Sequence, residues 1–200
     1  MAKAKSITDL DIQAPVGKNA RIIVQLRLEE LYQWSKFVDE PYRVRELHDL
    51  RIAAKRLRYT LEVFKNYLSD FCKQAVKELT QLQDELGDLH DSDVMIALLR
   101  LCLGMQDSGT GYENALTSVK PQKVKGRLLL EPELVATVLD PEHPPSAEQR
   151  YGLERLLSNQ EHLREQQYEA FRQHWSTLEQ GNFQHRLLES LGAKAFATQI

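Results

Sequence analysis

Residues 48–58 read HDLRIAAKRLR and gather one histidine with the cations Arg51, Lys55, Arg56 and Arg58. At about 100° per residue on a helix, His48, Arg51, Lys55 and Arg58 fall within roughly 80° of one face, with Tyr59 and Glu62 beside or among them. Arg56 stands about 80° to one side of His48. The stripe is about 15 Å long, with a cation roughly every 5 Å. Like charges at these spacings repel, so the row costs the fold something unless an anion faces it. That anion is either a carboxylate on another helix or a ligand. Arginine's planar fork holds phosphate oxygens in paired hydrogen bonds, and histidine adds a donor that turns cationic beside a polyanion. A linear phosphate polymer suits such a row better than one small anion.

Other chemistry has weaker support. His90, Asp91 and Asp93 form a candidate metal site of the kind that metal-dependent HD-type phosphohydrolases build from His-Asp pairs. A second His-Asp pair stands at His48 and Asp49, but a dipeptide is a weak signal, and helix capping and ion pairing explain the aspartates equally well. DSGTG at 107–111 lacks the Gly-Lys-Ser/Thr of a phosphate-binding loop and any strand before it. There is no G-x-S-x-G, and neither cysteine has a neighbouring base, so nucleophilic catalysis has no sequence support. Cys72 and Cys102 are expected as free thiols in a reducing cytosol. No cofactor or metal is expected.

The elements that must position the stripe are helical. Leu, Glu, Gln, Lys and Arg dominate, and apolar residues recur at spacings of three and four. The pattern predicts helices over 19–38, 41–68, 71–86, 90–103, 147–180 and 183–196, with Gly87 weakening or ending the third. Leu50, Ala53, Ala54, Leu57, Leu61, Phe64 and Leu68 line the face opposite the cations, so the helix at 41–68 buries one side and presents the other. Residues 104–127 read as a long loop, a short helix begins near Pro132, and PEHPP at 141–145 breaks it. Ser146 and Gln149 form a capping-box pair that opens the long helix at 147, and Gly181 stops it.

A net charge of −3 is wrong for a chain that adheres to nucleic acid through bulk charge. Trp34, Tyr168, Phe171, Trp175 and Phe183 are spaced as core residues and do not interleave with the cations, so nucleic acid is not expected as a partner. MAKAKSITDL carries no apolar run behind its charges, and the most apolar window, 94–105, is short and contains Arg100. No membrane partner is expected, and the chain reads as cytoplasmic.

Two stretches resemble a known family. His48, Arg51, Lys55, Arg56, Leu57, Arg58, Tyr59, Glu62 and Phe64 stand as H-x-x-R-x-x-x-K-R-L-R-Y-x-x-E-x-F, similar to the signature of the CHAD family, helical domains named for their histidine. LQDELGDLHDSDV at 82–94 resembles that family's second signature. The resemblance implies an all-helical bundle of long antiparallel helices with a basic groove or channel, making one domain over 1–200. It implies non-catalytic binding of inorganic polyphosphate, for granule targeting or sensing. His48, Arg51, Lys55 and Arg58 match channel-lining positions, Arg56 matches a basic position, and Tyr59 and Glu62 match as well, with Glu62 expected to orient Arg58. The E-x-E-x-K signature of the triphosphate-processing tunnel domains that often accompany CHAD modules is absent.

The family usually carries two tandem copies of the basic signature, whereas one appears here. Residues 147–191 hold Arg150, Arg155, Arg164, Arg172, His174 and Arg186 without it. Either those helices close the channel or two chains pair as a homodimer. The alternatives to polyphosphate binding are the HD-type phosphohydrolase and a purely structural or partner-binding helical protein.

Overall fold

A computed structural model describes residues 4–8, 10–103 and 146–193. The expected loop at 104–127, the short helix near Pro132, the break at 141–145 and the chain beyond 193 lie outside them. Among the described residues the fold is all-α: α1 (Val16–Tyr32), α2 (Val44–Val63), α3 (Phe71–Cys102), α4 (Ala147–Gln180) and α5 (Phe183–Ala193), with single 3-10 turns at Ser35–Phe37 and Lys65–Tyr67. The chain divides into two compact units, one of Met1–Asp88 with Gln167–Ile200 and the other of Leu89–Gln166.

Several ends differ from the pattern-based expectation. α1 starts three residues early because Pro15, at φ −54° and ψ 143°, sits outside the helix and its carbonyl accepts the Lys18 N–H at 2.9 Å. It ends at Tyr32, whose carbonyl accepts a 2.8 Å hydrogen bond from the Ser35 hydroxyl. α2 begins at Val44, not Pro41. The turn before it is closed by Arg43 N–H donating to the Glu40 carbonyl at 3.1 Å.

The largest correction concerns α3, one helix of 32 residues where Gly87 was expected to separate two. A helical glycine costs only about 1 kcal/mol relative to alanine. Leu82, Leu86 and Leu89, all buried, hold the backbone helical on both sides of it. At the start of α4 the capping box forms as the sequence predicts: Gln149 Oε1 accepts the Ser146 N–H at 2.8 Å and Ser146 Oγ accepts the Gln149 N–H at 3.3 Å. α4 ends at Gln180. The left-handed residue that follows is Asn182, at φ 50°, rather than Gly181. Asparagine tolerates that region better than most side chains do.

In the first unit, α1 lies along α2. Its buried Ala20, Val24, Leu28 and Leu31 and the buried Leu50, Ala53, Ala54, Leu57 and Leu61 of α2 contribute to a core shared with Leu79, Leu82 and Leu86 of α3. Phe171, Trp175, Phe183 and Leu187 add the C-terminal side of that core. Trp175 stacks at 5.7 Å on Tyr32 and Phe183 at 6.4 Å on Phe71. Tyr168 donates its hydroxyl to the Val38 carbonyl at 2.7 Å. The aromatics predicted to be core are therefore buried or half-buried, and none forms a stacking platform on the basic stripe.

His174 joins α4 to α3 in the same unit. Its Nδ1 lies 2.8 Å from Glu85 and its Nε2 3.2 Å from Glu78. A neutral imidazole has one donor and one acceptor, so only the protonated ring satisfies both carboxylates. The Glu85 hydrogen bond raises the His174 pKa; burial opposes this and Glu78 adds to it.

The second unit has its own cluster of Ile96, Leu99, Leu103 and Leu157, with Met95 and Leu153 packed against it. Polar links also tie α3 to α4 there. Arg164 donates to Asp93 at 2.5 Å, Gln160 to Ser92 at 2.8 Å, and Arg100 to Glu161 at 2.9 Å.

Two outcomes follow. A Cβ at Gly87 meets nothing within 4 Å, so Gly87→Ala raises the stability read from urea unfolding by about 0.5–1 kcal/mol; a loss would mean that α3 needs glycine there. His174, with its folded pKa raised, contributes stability that is complete below about pH 6.5 and is lost as pH rises through the folded pKa. Urea midpoints taken from pH 5.5 to 9 therefore fall less steeply in His174→Gln than in the unchanged protein.

Candidate functional site

α2 presents the basic stripe because its other face is buried. His48, Arg51, Lys55, Arg56 and Arg58 are each half-buried, and His48 Nδ1 and Arg51 Nε are themselves buried. Asp49, 4% exposed, stands among the buried residues of α2, so the His48-Asp49 dipeptide divides between the helix's two sides. Tyr59 remains 46% exposed beside the cations. The Lys55 ammonium lies 5.6 Å and the Arg58 guanidinium 4.5 Å from its ring centroid. Contacts of this kind are worth about 0.5–1 kcal/mol at exposed sites, enough to favour one rotamer.

Arg58 is the most constrained of the cations. Its Nη1 donates to Glu62 at 2.6 Å, the i, i+4 pair expected from the sequence. Its Nε donates to Gln83 Oε1 at 3.1 Å, a partner from α3 that the sequence reading did not identify. Arg58 keeps 17% of its side chain exposed and Glu62 40%, so the pair opens to solvent on the carboxylate's side. Gln83 stands inside the LQD stretch quoted above. Its residue type was visible, but no local spacing says which arginine it meets.

His48 carries a depressed pKa. Burial lowers it first and the Arg51 charge lowers it further, while Asp49 pulls the other way. The ring is thus biased toward its neutral form. An anion set against Arg51 and His48 opposes that bias and makes His48 a second donor.

Five of the six C-terminal cations named above have partners of their own. Arg172 pairs with Asp39, His174 with Glu78 and Glu85, and Arg186 lies 4.5 Å over the Phe71 ring. In the second unit Arg150 pairs with Glu154 at 3.2 Å and Arg164 with Asp93. The candidate metal residues separate as well. On continuous α3, Asp91 points about 160° away from Asp93, and Asp93 is buried against Arg164. Burial raises the Asp93 pKa while Arg164 holds it down. Among the described residues no three His, Cys, Asp or Glu side chains come together as a metal-holding group. No described helix is long and apolar enough to cross a membrane.

Compared with protein-family models, residues 6–100 match the CHAD domain. Neither the curated proteins nor the solved structures contain a match.

The His48 environment is checked by NMR titration without ligand. His48 should titrate below the ordinary histidine value, and Arg51→Ala should move it part of the way back up. A His48 pKa unaffected by that change would show that the Arg51 charge does not reach it.

Proposed function

Residues 6–100 belong to the CHAD domain family, and on that footing we propose that this chain binds inorganic polyphosphate, without catalysis, along the stripe on α2. One observation carries the reading: α2 buries its apolar face and holds His48, Arg51, Lys55 and Arg58 on the other, with a cation about every 5 Å. Arg56 and Tyr59 extend the surface to one side. The stripe, about 15 Å long, exceeds what one small anion covers, and arginine offers planar pairs of donors for phosphate oxygens. In the protein's setting the bound polymer places the chain on polyphosphate granules or reports polymer level.

The HD-type phosphohydrolase reading is less well supported, because Asp93, one of its three candidate ligands, is engaged by Arg164. A second chain, adding its own α2, is one way to supply the lining that a single basic signature lacks.

The test is a titration with long-chain polyphosphate at several salt concentrations, alongside single-stranded DNA, for the unchanged protein and the double variant Arg51→Ala, Lys55→Ala. Tight, salt-dependent binding with a preference for polyphosphate is expected. The double variant should lose at least roughly tenfold in affinity and flatten the slope of log K against log salt by about 1.5, since each phosphate neutralised contributes about 0.7–0.9. Binding that survives the double change, or no preference over DNA, sinks the proposal.

A further inference from the structure

We propose that Gln83 of α3 is a positioning residue that presents the Arg58 guanidinium to the anion; this rests on the reading of α2 as a phosphate-binding surface. The juxtaposition is specific. Gln83 Oε1 accepts from Arg58 Nε at 3.1 Å, Glu62 Oε1 accepts from Nη1 at 2.6 Å, and the Tyr59 ring centroid lies 4.5 Å from the guanidinium carbon. The guanidinium is thus held at two of its edges and faced by the ring.

A guanidinium carries five N–H donors. These two bonds use one on Nε and one on Nη1, so three are not taken up by Gln83 and Glu62. An arginine side chain otherwise loses considerable rotamer freedom on binding, and holding it in advance removes part of that cost. The two partners are not equivalent. Glu62 fixes Arg58 but cancels part of its charge. Gln83 fixes it with a neutral carbonyl and leaves the cation's field intact, while its own amide N–H groups remain donors. A carboxylate at position 83 would hold the arginine equally well and repel the anion. That asymmetry separates a positioning residue from a residue that merely packs.

Gln83 belongs to the second sequence stretch and Arg58 to the first. Their hydrogen bond gives the two a direct physical link: α3 fixes one of the phosphate-facing groups of α2.

The experiment compares the unchanged protein with Gln83→Leu, Gln83→Glu, Arg58→Ala and the double variant Arg58→Ala, Gln83→Leu. The first readout is ligand-free. The Arg58 Nε–H resonance should exchange slowly with water and be ordered, and Gln83→Leu should abolish this, while Gln83→Glu retains it. The second is affinity for long-chain polyphosphate. Gln83→Leu should weaken binding roughly threefold to tenfold, Gln83→Glu by at least as much, and Gln83→Leu should add nothing once Arg58 is alanine. Urea unfolding of each variant confirms that it folds.

An Arg58 resonance that Gln83→Leu leaves unchanged overturns the positioning itself, whatever polyphosphate does. An additive loss in the double variant also overturns it, because Gln83 would then act on its own. If the resonance responds but the unchanged protein binds no polyphosphate, the contact stands, while both the anion role given to Gln83 and the functional reading fail.

Discussion

α2 can hold a row of like charges only because its opposite face is buried. Leu50, Leu57 and Leu61 are fully enclosed, and burying such side chains contributes roughly 1.5–3 kcal/mol each. Repulsion between neighbouring cations on a helix surface costs only about 0.2–0.5 kcal/mol per pair. Burial wins by a wide margin, so the helix keeps its register without a ligand. The stripe's geometry is therefore set by apolar contacts on the other side of α2. α1 contributes directly through its own buried face.

Several described cations outside α2 are matched within the chain. Arg27 pairs with Glu30 at 2.7 Å, where both side chains are nearly buried, Glu30 also accepts the Lys5 backbone N–H, and Arg27 reaches the Lys5 carbonyl at 3.4 Å. Arg164 is matched by Asp93, Arg172 by Asp39 and Arg43 by Glu40. Each of these pairs keeps its charge local. On α2, Arg58 combines a carboxylate with a neutral amide, a mixture that fixes its direction while cancelling only part of its charge. His48, held toward neutrality by burial and Arg51, keeps the row's resting charge lower than its residue count suggests.

Much of this was legible in the residues themselves. The α4 boundaries followed from the Ser146 and Gln149 box and the break after Gln180, because capping chemistry is local. The angular grouping of His48, Arg51, Lys55 and Arg58 followed from helical periodicity alone, as did the buried face opposite. The division of α3 at Gly87 did not hold. A glycine's cost is small and intrinsic, whereas Leu82, Leu86 and Leu89 stabilise the helix through burial that no local window reveals.

What the sequence determined by itself was the helical class, which residues share a face of α2, and the i, i+4 pairing of Arg58 with Glu62, since all three depend on spacing along one helix. The tertiary structure decided that Gln83 holds Arg58, that Asp93 answers Arg164, and that His174 bridges Glu78 and Glu85. Those partners lie 25, 71, 96 and 89 residues apart. Hydrogen-bonding capacity is a property of the residue, but its satisfaction depends on which helix packs where, and only the folded core settles that.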